Sequence, residues 1–289
     1  MSTWNGVDIS PLFDLEQVEE RLFQSEVYDF NMQRKIYGGQ LLAQVGAAAA
    51  RCVESDRQLA SLHGLFLRSA GEGGPIQYAV EILQHGKRYT NLKVRGTQDG
   101  RNVIDGQITF QKAQSGPGHH PEPAVQPDFD DCLSMEALDA LHAERLSNLG
   151  YRLYAKPTLE ARFCAPDDLL FQPSPTPHLA YWTRPRAPVA EDDLTQRLLT
   201  IYLSDYYLGY IIMGRHIPMV GARDAIYVAS LNHTIRFYDA PRPNDGILHQ
   251  TESHFAGAGR GLAHGRLHNR DGRAMAHVIQ ECVMSAKAG

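Results

Sequence analysis

Residues 86–113 and 257–285 are two copies of one unit, and nothing else in the chain limits its fold so strongly. The first copy runs Gly86-Lys87-Arg88-Tyr89 into Val94, turns at Asp99-Gly100-Arg101 and ends Ile108-Thr109-Phe110. The second runs Gly259-Arg260-Gly261-Leu262 into Leu267, turns at Asp271-Gly272-Arg273 and ends Gln280-Glu281-Cys282. A repeat of such long period is not a solenoid; it implies two similar units in one chain. Aligned on the Asp-Gly-Arg turns, Ile108 of one copy falls at Gln280 of the other. A polar residue replacing an apolar one in parallel cores marks a place to look for function.

Each repeat sits in the same sequence context. Gly39–Val53 is Ala-rich and nearly free of charge; Thr195–Gly214 is apolar almost all round and follows Glu191-Asp192-Asp193, which suit a helix N-terminus. Helices apolar on every side must be wrapped by other structure. Alternating strands are expected over 59–68, 76–83, 88–97 and 102–112 after the first helix. They are expected over 226–237, 247–255, 260–269 and 274–285 after the second. Asp99-Gly100 and Asp271-Gly272 read as two-residue hairpin turns. Between the halves lies the turn-rich Ser115-Gly116-Pro117-Gly118-His119-His120-Pro121-Glu122-Pro123, then an amphipathic helix over 134–149. The expected division is residues 1–114, a linker over 115–150, and residues 151–289. The class is α+β: a long buried helix cradled by an antiparallel sheet, built twice.

The chain's 289 residues, 43% apolar, suffice for two proper cores. A net charge of −5 with no basic block argues against general nucleic-acid binding, so an anionic ligand would need a local cluster of Arg and Lys. Cys52, Cys132, Cys164 and Cys282 lack C-x-x-C spacing, which fits a reducing compartment rather than a disulfide framework or zinc site. The acidic, mixed stretch from Met1 to Glu16 is no signal peptide, and no apolar run reaches the ~18 residues of a membrane span; a cytoplasmic location is expected. No G-x-S-x-G elbow, G-x-G-x-x-G fingerprint or P-loop is present, so no nucleotide cofactor is expected.

Two residues stand out on burial grounds. The last hairpin's register places Gln280 opposite Ala263, on a face otherwise carrying Gly265, Leu267, Ala276, Val278, Cys282 and Met284. A buried amide without partners costs roughly 1–3 kcal/mol, so Gln280 bonds either to nearby backbone or to something functional. Asp205 lies in Leu203-Ser204-Asp205-Tyr206-Tyr207-Leu208, inside the apolar helix, where an unpaired carboxylate is expensive and its pKa rises. Such groups serve either as structural pairs or at functional sites. His264, His268 and His277 share the hairpin's outer face in this register. Arg266 lies among them, and no carboxylate or thiolate completes a metal set, so no metal is expected.

In these residues the chain resembles the acyl-CoA thioesterase II family of double-hotdog proteins over nearly its whole length. The likeness runs through Tyr37-Gly38-Gly39-Gln40-Leu41-Leu42-Ala43-Gln44, Leu62-His63, Phe66-Leu67-Arg68 and Leu203-Ser204-Asp205. It continues in Ala229-Ser230-Leu231-Asn232-His233, Gly259-Arg260-Gly261-Leu262, Asp271-Gly272-Arg273 and Val278-Ile279-Gln280-Glu281. The resemblance implies hydrolysis of fatty acyl-CoA, with Asp205, Ser230 and Gln280 as catalytic residues and substrate contacts at Gly39, Gln40, His63, Arg260 and Gly261. Only the resemblance selects Ser230. An oxyanion donor is expected from a backbone N–H near Gly39, and a homo-oligomer is expected. Asn232, where the family has Asp, and Arg236, where it has an aromatic, bear on acyl-pocket shape. The alternatives are a non-catalytic acyl-CoA binder and a hydratase. A hydratase would want a His a few residues after its Asp; here the next is His216.

Overall fold

The computed structural model describes residues 4–120, 122, 126–165, 170–221 and 225–286. Met1–Thr3 at the N-terminus, and Pro121 and Pro123 of the expected linker, lie outside the described residues.

The first half contains β1 (Glu16–Glu19), β2 (Leu22–Ser25), α1 (Gly38–Ala50), β3 (Arg57–Phe66), β4 (Ile76–His85), β5 (Tyr89–Gln98) and β6 (Arg101–Lys112). The segment read as a linker supplies β7 (Leu133–Ser134) and, in place of one helix, two short ones broken at His142, α2 (Met135–Leu141) and α3 (Ala143–Asn148). The second half continues with β8 (Leu159–Phe163), β9 (His178–Pro185), α4 (Asp193–Ser204), α5 (Leu208–Gly214), β10 (Ile226–Phe237), β11 (Ile247–Gly257), β12 (Arg260–Asn269) and β13 (Ala274–Ala286). Eight strands fall where alternation places them. The others lie outside the expected strands: β1 is exposed at every position, and β2 and β8 alternate in burial but are only four and five residues long.

All the strands join one antiparallel sheet in the order β1-β2-β4-β5-β6-β3-β10-β13-β12-β11-β9-β8-β7. The two expected sheets thus meet edge to edge at β3 and β10, where Thr234 pairs with His63 and Ile235 with Leu62. His63 Nδ1 and Thr234 Oγ1, 2.7 Å apart, tie this seam from the side-chain layer. The helices lie side by side inside the curved sheet. Gly39 and Gly46, two turns apart on α1, permit that approach: a Cβ on Gly39 would stand 2.3 Å from the Tyr202 carbonyl oxygen of α4, and one on Gly46 3.0 Å from Leu198. This is the double-hotdog arrangement.

Local chemistry sets where α4 starts and stops. Asp192 caps it, accepting from Thr195 N–H at 2.9 Å. The expected helix over 195–214 is broken after Ser204, because Tyr207 takes a left-handed φ of 67° and restarts the chain as α5. Asp205 occupies the break as the C-terminal cap of α4.

The hairpin registers hold, with Ala263 opposite Gln280 and Gly265 opposite Val278. Asp99 and Gly100, at φ 49° and 72°, form the expected two-residue turn. The second turn is longer: Gly272 N–H returns to the Asn269 carbonyl at 2.9 Å, and a bulge follows Leu267. That bulge corrects the reading of His268, which is fully buried with Nδ1 3.3 Å from the Gly272 carbonyl. His264 and His277 stay on the outer face, joined there by His254. Cys132 and Cys164, far apart in sequence, meet as thiols with Sγ atoms 3.4 Å apart.

Candidate active site

β10 carries a bulge between Ser230 and Asn232. Ser230 pairs with Cys282 and His233 with Gln280, so two residues three apart on β10 face two residues two apart on β13. The extra residue, Leu231, turns Ser230 and His233 to the same side of the sheet. Strict alternation would place Ser230 with Asn232 instead, which is why the strand alone could not single out Ser230.

On that side a chain of hydrogen bonds fixes Gln280, which is 1% exposed. Its Nε2 donates to Ser230 Oγ at 2.9 Å, and its Oε1 accepts from His233 Nδ1 at 2.6 Å. An amide oxygen can only accept, so Nδ1 carries the ring proton. Burial pushes the fully enclosed His233 down to about pKa 4, which keeps the ring neutral and makes Nε2 an acceptor. Ser204 Oγ donates to the Ile201 carbonyl at 2.8 Å and lies 2.9 Å from Nε2, so two acceptors share its single proton. The relay Ser204–His233–Gln280–Ser230 holds the amide in one orientation.

Asp205 meets this relay from the helix layer. Burial raises its pKa to about 7, against the opposing pull of the Gln280 amide, the Gly39 N–H and the Lys156 charge. Oδ1 is buried without a hydrogen-bond partner, and the Gln280 amide and Gly39 N–H are near enough to favour the charged form. Gly38 leaves it uncovered: a Cβ there would lie 2.7 Å from Oδ2. Lys156 is itself 2% exposed and held 2.7 Å from Asp29, with its ammonium over the Tyr37 ring at 4.5 Å. Tyr202 donates to the same Asp29, and Tyr37 to the Tyr202 carbonyl at 2.9 Å. A satisfied buried ion pair thus lies behind the carboxylate.

Asp205, Ser230 and Gln280 all border one cavity of about 590 Å³ between the halves. Its remaining wall is largely apolar or aromatic, including Ile36, Leu41, Phe66, Tyr206, Tyr210 and Met213. Among the described residues no group of His, Cys, Asp and Glu is arranged to hold a metal ion, and no helix is long and apolar enough to cross a membrane.

The residues expected to contact substrate lie mostly away from this cavity. Gln40 is wholly buried, with its amide tied to the backbone at Asp29 N–H (2.7 Å) and the Val27 carbonyl (2.6 Å). His63 is spent on the β3–β10 seam. Arg260 pairs with Glu281 at 2.7 Å at the exposed hairpin end. Gly261 is needed for packing, since a Cβ would strike Ile212 at 2.0 Å. None of these borders the cavity, and neither does Asn232 or Arg236. Gly39 lies beside the site with its N–H acting on Asp205, while Gly38 forms the cavity wall. Sequence reasoning missed His233, Ser204, Gly38 and Lys156. The first three lie within the stretches that carry the family likeness; Lys156, in Tyr154-Ala155-Lys156-Pro157, has no signal of its own.

The first half lacks this chemistry. A matching bulge between Leu59 and Ser61 puts Leu59 opposite Phe110 and Leu62 opposite Ile108. The positions of Ser230, His233 and Gln280 are therefore held by Leu59, Leu62 and Ile108, each at most 1% exposed.

Models of known families match both halves: residues 28–111 match the acyl-CoA thioesterase N-terminal domain and residues 129–284 the acyl-CoA thioesterase C-terminal domain. The chain belongs to the acyl-CoA thioesterase family. Acyl-coenzyme A thioesterase 8 of Mus musculus is 29% identical, covering 98% of this chain and 90% of the relative. Acyl-CoA thioesterase 2 of Haemophilus influenzae is also 29% identical, over 93% and 94%. The crystal structure of an acyl-CoA thioesterase II from Mycobacterium marinum superposes with a TM-score of 0.78 at 27% identity, covering 97% of this chain and 99% of that one. The polar cluster of the second half thus lies on the cavity wall of a thioesterase-family protein.

Proposed function

We propose that this chain hydrolyses fatty acyl-CoA to free acid and CoA at the Asp205–Gln280–Ser230 cluster. Asp205 takes a proton from a water that Ser230 and Gln280 hold against the thioester carbonyl. A carboxyl with a pKa of about 7 is matched to proton transfer near neutrality, being a stronger base than an ordinary Asp while still substantially ionised. Direct attack by Ser230 is not favoured. His233, the one imidazole in the relay, reaches Ser230 only through the Gln280 amide, so no base adjoins the hydroxyl. The developing oxyanion falls to the first turn of α1, where Gly38 borders the cavity and the helix N-terminus gathers partial positive charge. The apolar wall takes the acyl chain.

The observation that carries this reading is one buried, dipole-flanked carboxylate beside a bonded Gln–Ser pair on the wall of a largely apolar cavity. Steady-state hydrolysis over acyl-CoAs from short to long chain, beside a binding titration, tests it. Asp205→Asn keeps the size and loses the base, so turnover should fall roughly 100-fold or more with acyl-CoA affinity largely kept. Full activity in that variant would refute the role of Asp205. Binding without hydrolysis in the unmutated protein would leave a carrier instead of an enzyme.

A further inference from the structure

A second cleft of about 610 Å³ opens beside the catalytic cavity and shares Lys35, Arg68 and Ser69 with it. Its lining brings Arg34, Lys35, Arg68 and Arg101 together against two carboxylates, Glu72 and Asp99. Arg34 is paired with Glu72, and Asp99 accepts from Gly74 N–H at 3.3 Å. Lys35, Arg68 and Arg101 have no acidic partner among the described residues. In a chain of net charge −5, three such cations converging on one cleft form the local basic cluster that an anionic ligand requires.

The cleft is held in shape. Asn31 Oδ1 accepts from Gln33 N–H at 2.9 Å and Lys35 N–H at 3.1 Å, closing the turn that presents Arg34 and Lys35. Gln98 accepts from Gly71 N–H at 3.1 Å and donates to the Gly71 carbonyl at 2.8 Å, fixing the opposite loop to β5. Its distance from the chemistry is also bounded. Asp205 Oδ2 and the Phe66 ring lie 2.7 and 3.2 Å from the Cβ position of Gly38. Lys35 precedes Gly38 by three residues and Arg68 follows Phe66 by two, spans of at most about 11 and 7 Å of chain. With their long side chains added, the charges of Lys35 and Arg68 lie within roughly 20 Å of the reacting carboxylate, inside the reach of a pantetheine arm between its sulfur and first phosphate.

We propose that the cleft of Lys35, Arg68 and Arg101 binds the phosphate groups of coenzyme A while the thioester lies at Asp205. This assignment rests on the acyl-CoA reading of the cavity and extends it to the other end of the substrate. The phosphates exchange water for guanidinium and ammonium donors at the rim, and the pantetheine arm runs along the shared wall.

The test compares the unmutated protein with the double variant Lys35→Ala/Arg68→Ala on octanoyl-CoA and on octanoyl-N-acetylcysteamine, which has the same thioester and no phosphate. Free CoA is titrated calorimetrically into both proteins. All the altered side chains are exposed, so the variant should melt with the unmutated protein. Losing two charge-assisted contacts should raise KM for octanoyl-CoA and weaken CoA binding roughly 30-fold or more, with kcat little changed. Hydrolysis of octanoyl-N-acetylcysteamine should stay within about twofold. Equal losses on both thioesters, or CoA binding that does not weaken, would overturn the assignment. If the unmutated protein hydrolyses neither thioester and the variant still loses CoA affinity, the phosphate site stands and the hydrolytic reading falls.

Discussion

Asp205 holds opposed demands on one side chain. Its pKa of about 7 against an ordinary 3.8 means that the folded protein holds a proton between these values which the unfolded chain releases. Stability therefore falls as pH rises through that window, by up to ~4 kcal/mol above pH 7. Under the proposed mechanism catalysis runs the other way, because the base must be ionised, so kcat/KM should climb with an apparent pKa near 7. His233, neutral down to about pH 4, does not supply that limb. Asp205→Asn should thus be more stable than the parent at pH 8 and nearly inert, with the stability gap closing by pH 4; urea melts at the two pH values measure it. A gap that did not change with pH would mean the carboxylate is not desolvated. His233 sets the amide without touching substrate, so His233→Leu should lower kcat about tenfold or more by freeing Gln280. His233→Asn, whose amide nitrogen can replace Nδ1 as donor to Gln280 Oε1, should recover much of it. A merely space-filling histidine would show no such preference for Asn over Leu.

At the scale of elements, the two hairpins share a backbone and differ in their chemistry. Leu62 opposite Ile108 repeats His233 opposite Gln280, with hydrocarbon where the second half has its relay. Ile108→Ala should therefore cost about 2–5 kcal/mol of stability and leave kcat nearly unchanged, as denaturant melts and steady-state assays would show. A large drop in kcat at equal stability would mean that the first half also takes part in chemistry. The sequence made the strands and the register of Gln280 legible because alternation and an Asp-Gly turn are local signals. It did not reveal the break at Asp205, since Tyr206 and Tyr207 are acceptable helix residues and carry no local signal for the φ of 67° that Tyr207 adopts. Nor did it reveal the bulges at Leu231 and after Leu267, which reset alternation without any glycine or proline to mark them. The buried pair of Lys156 and Asp29 joins residues too distant in sequence for any periodicity to relate.

For the whole molecule, the seam between β3 and β10 is as much a part of the fold as either half. Residues 4–114 alone would leave the edge of β3 bare from Ser61 to Leu65, the residues that pair with β10. Such an edge recruits other strands, so this fragment should elute as dimers or larger species on size-exclusion chromatography, while the full chain pairs the edge internally. A monomeric, well-folded fragment would show the seam to be dispensable. The seam also sets a clock during synthesis. β3 leaves the ribosome more than 160 residues ahead of its partner, which at about 5–20 residues per second is an interval of roughly 10–30 s. Throughout that time the nascent first half presents an unfinished sheet, in the crowded setting where two ribosomes on one message hold identical edges close together. Protection of β3 by a chaperone, or slow capture by a neighbouring copy, is then decided before the second half has been translated.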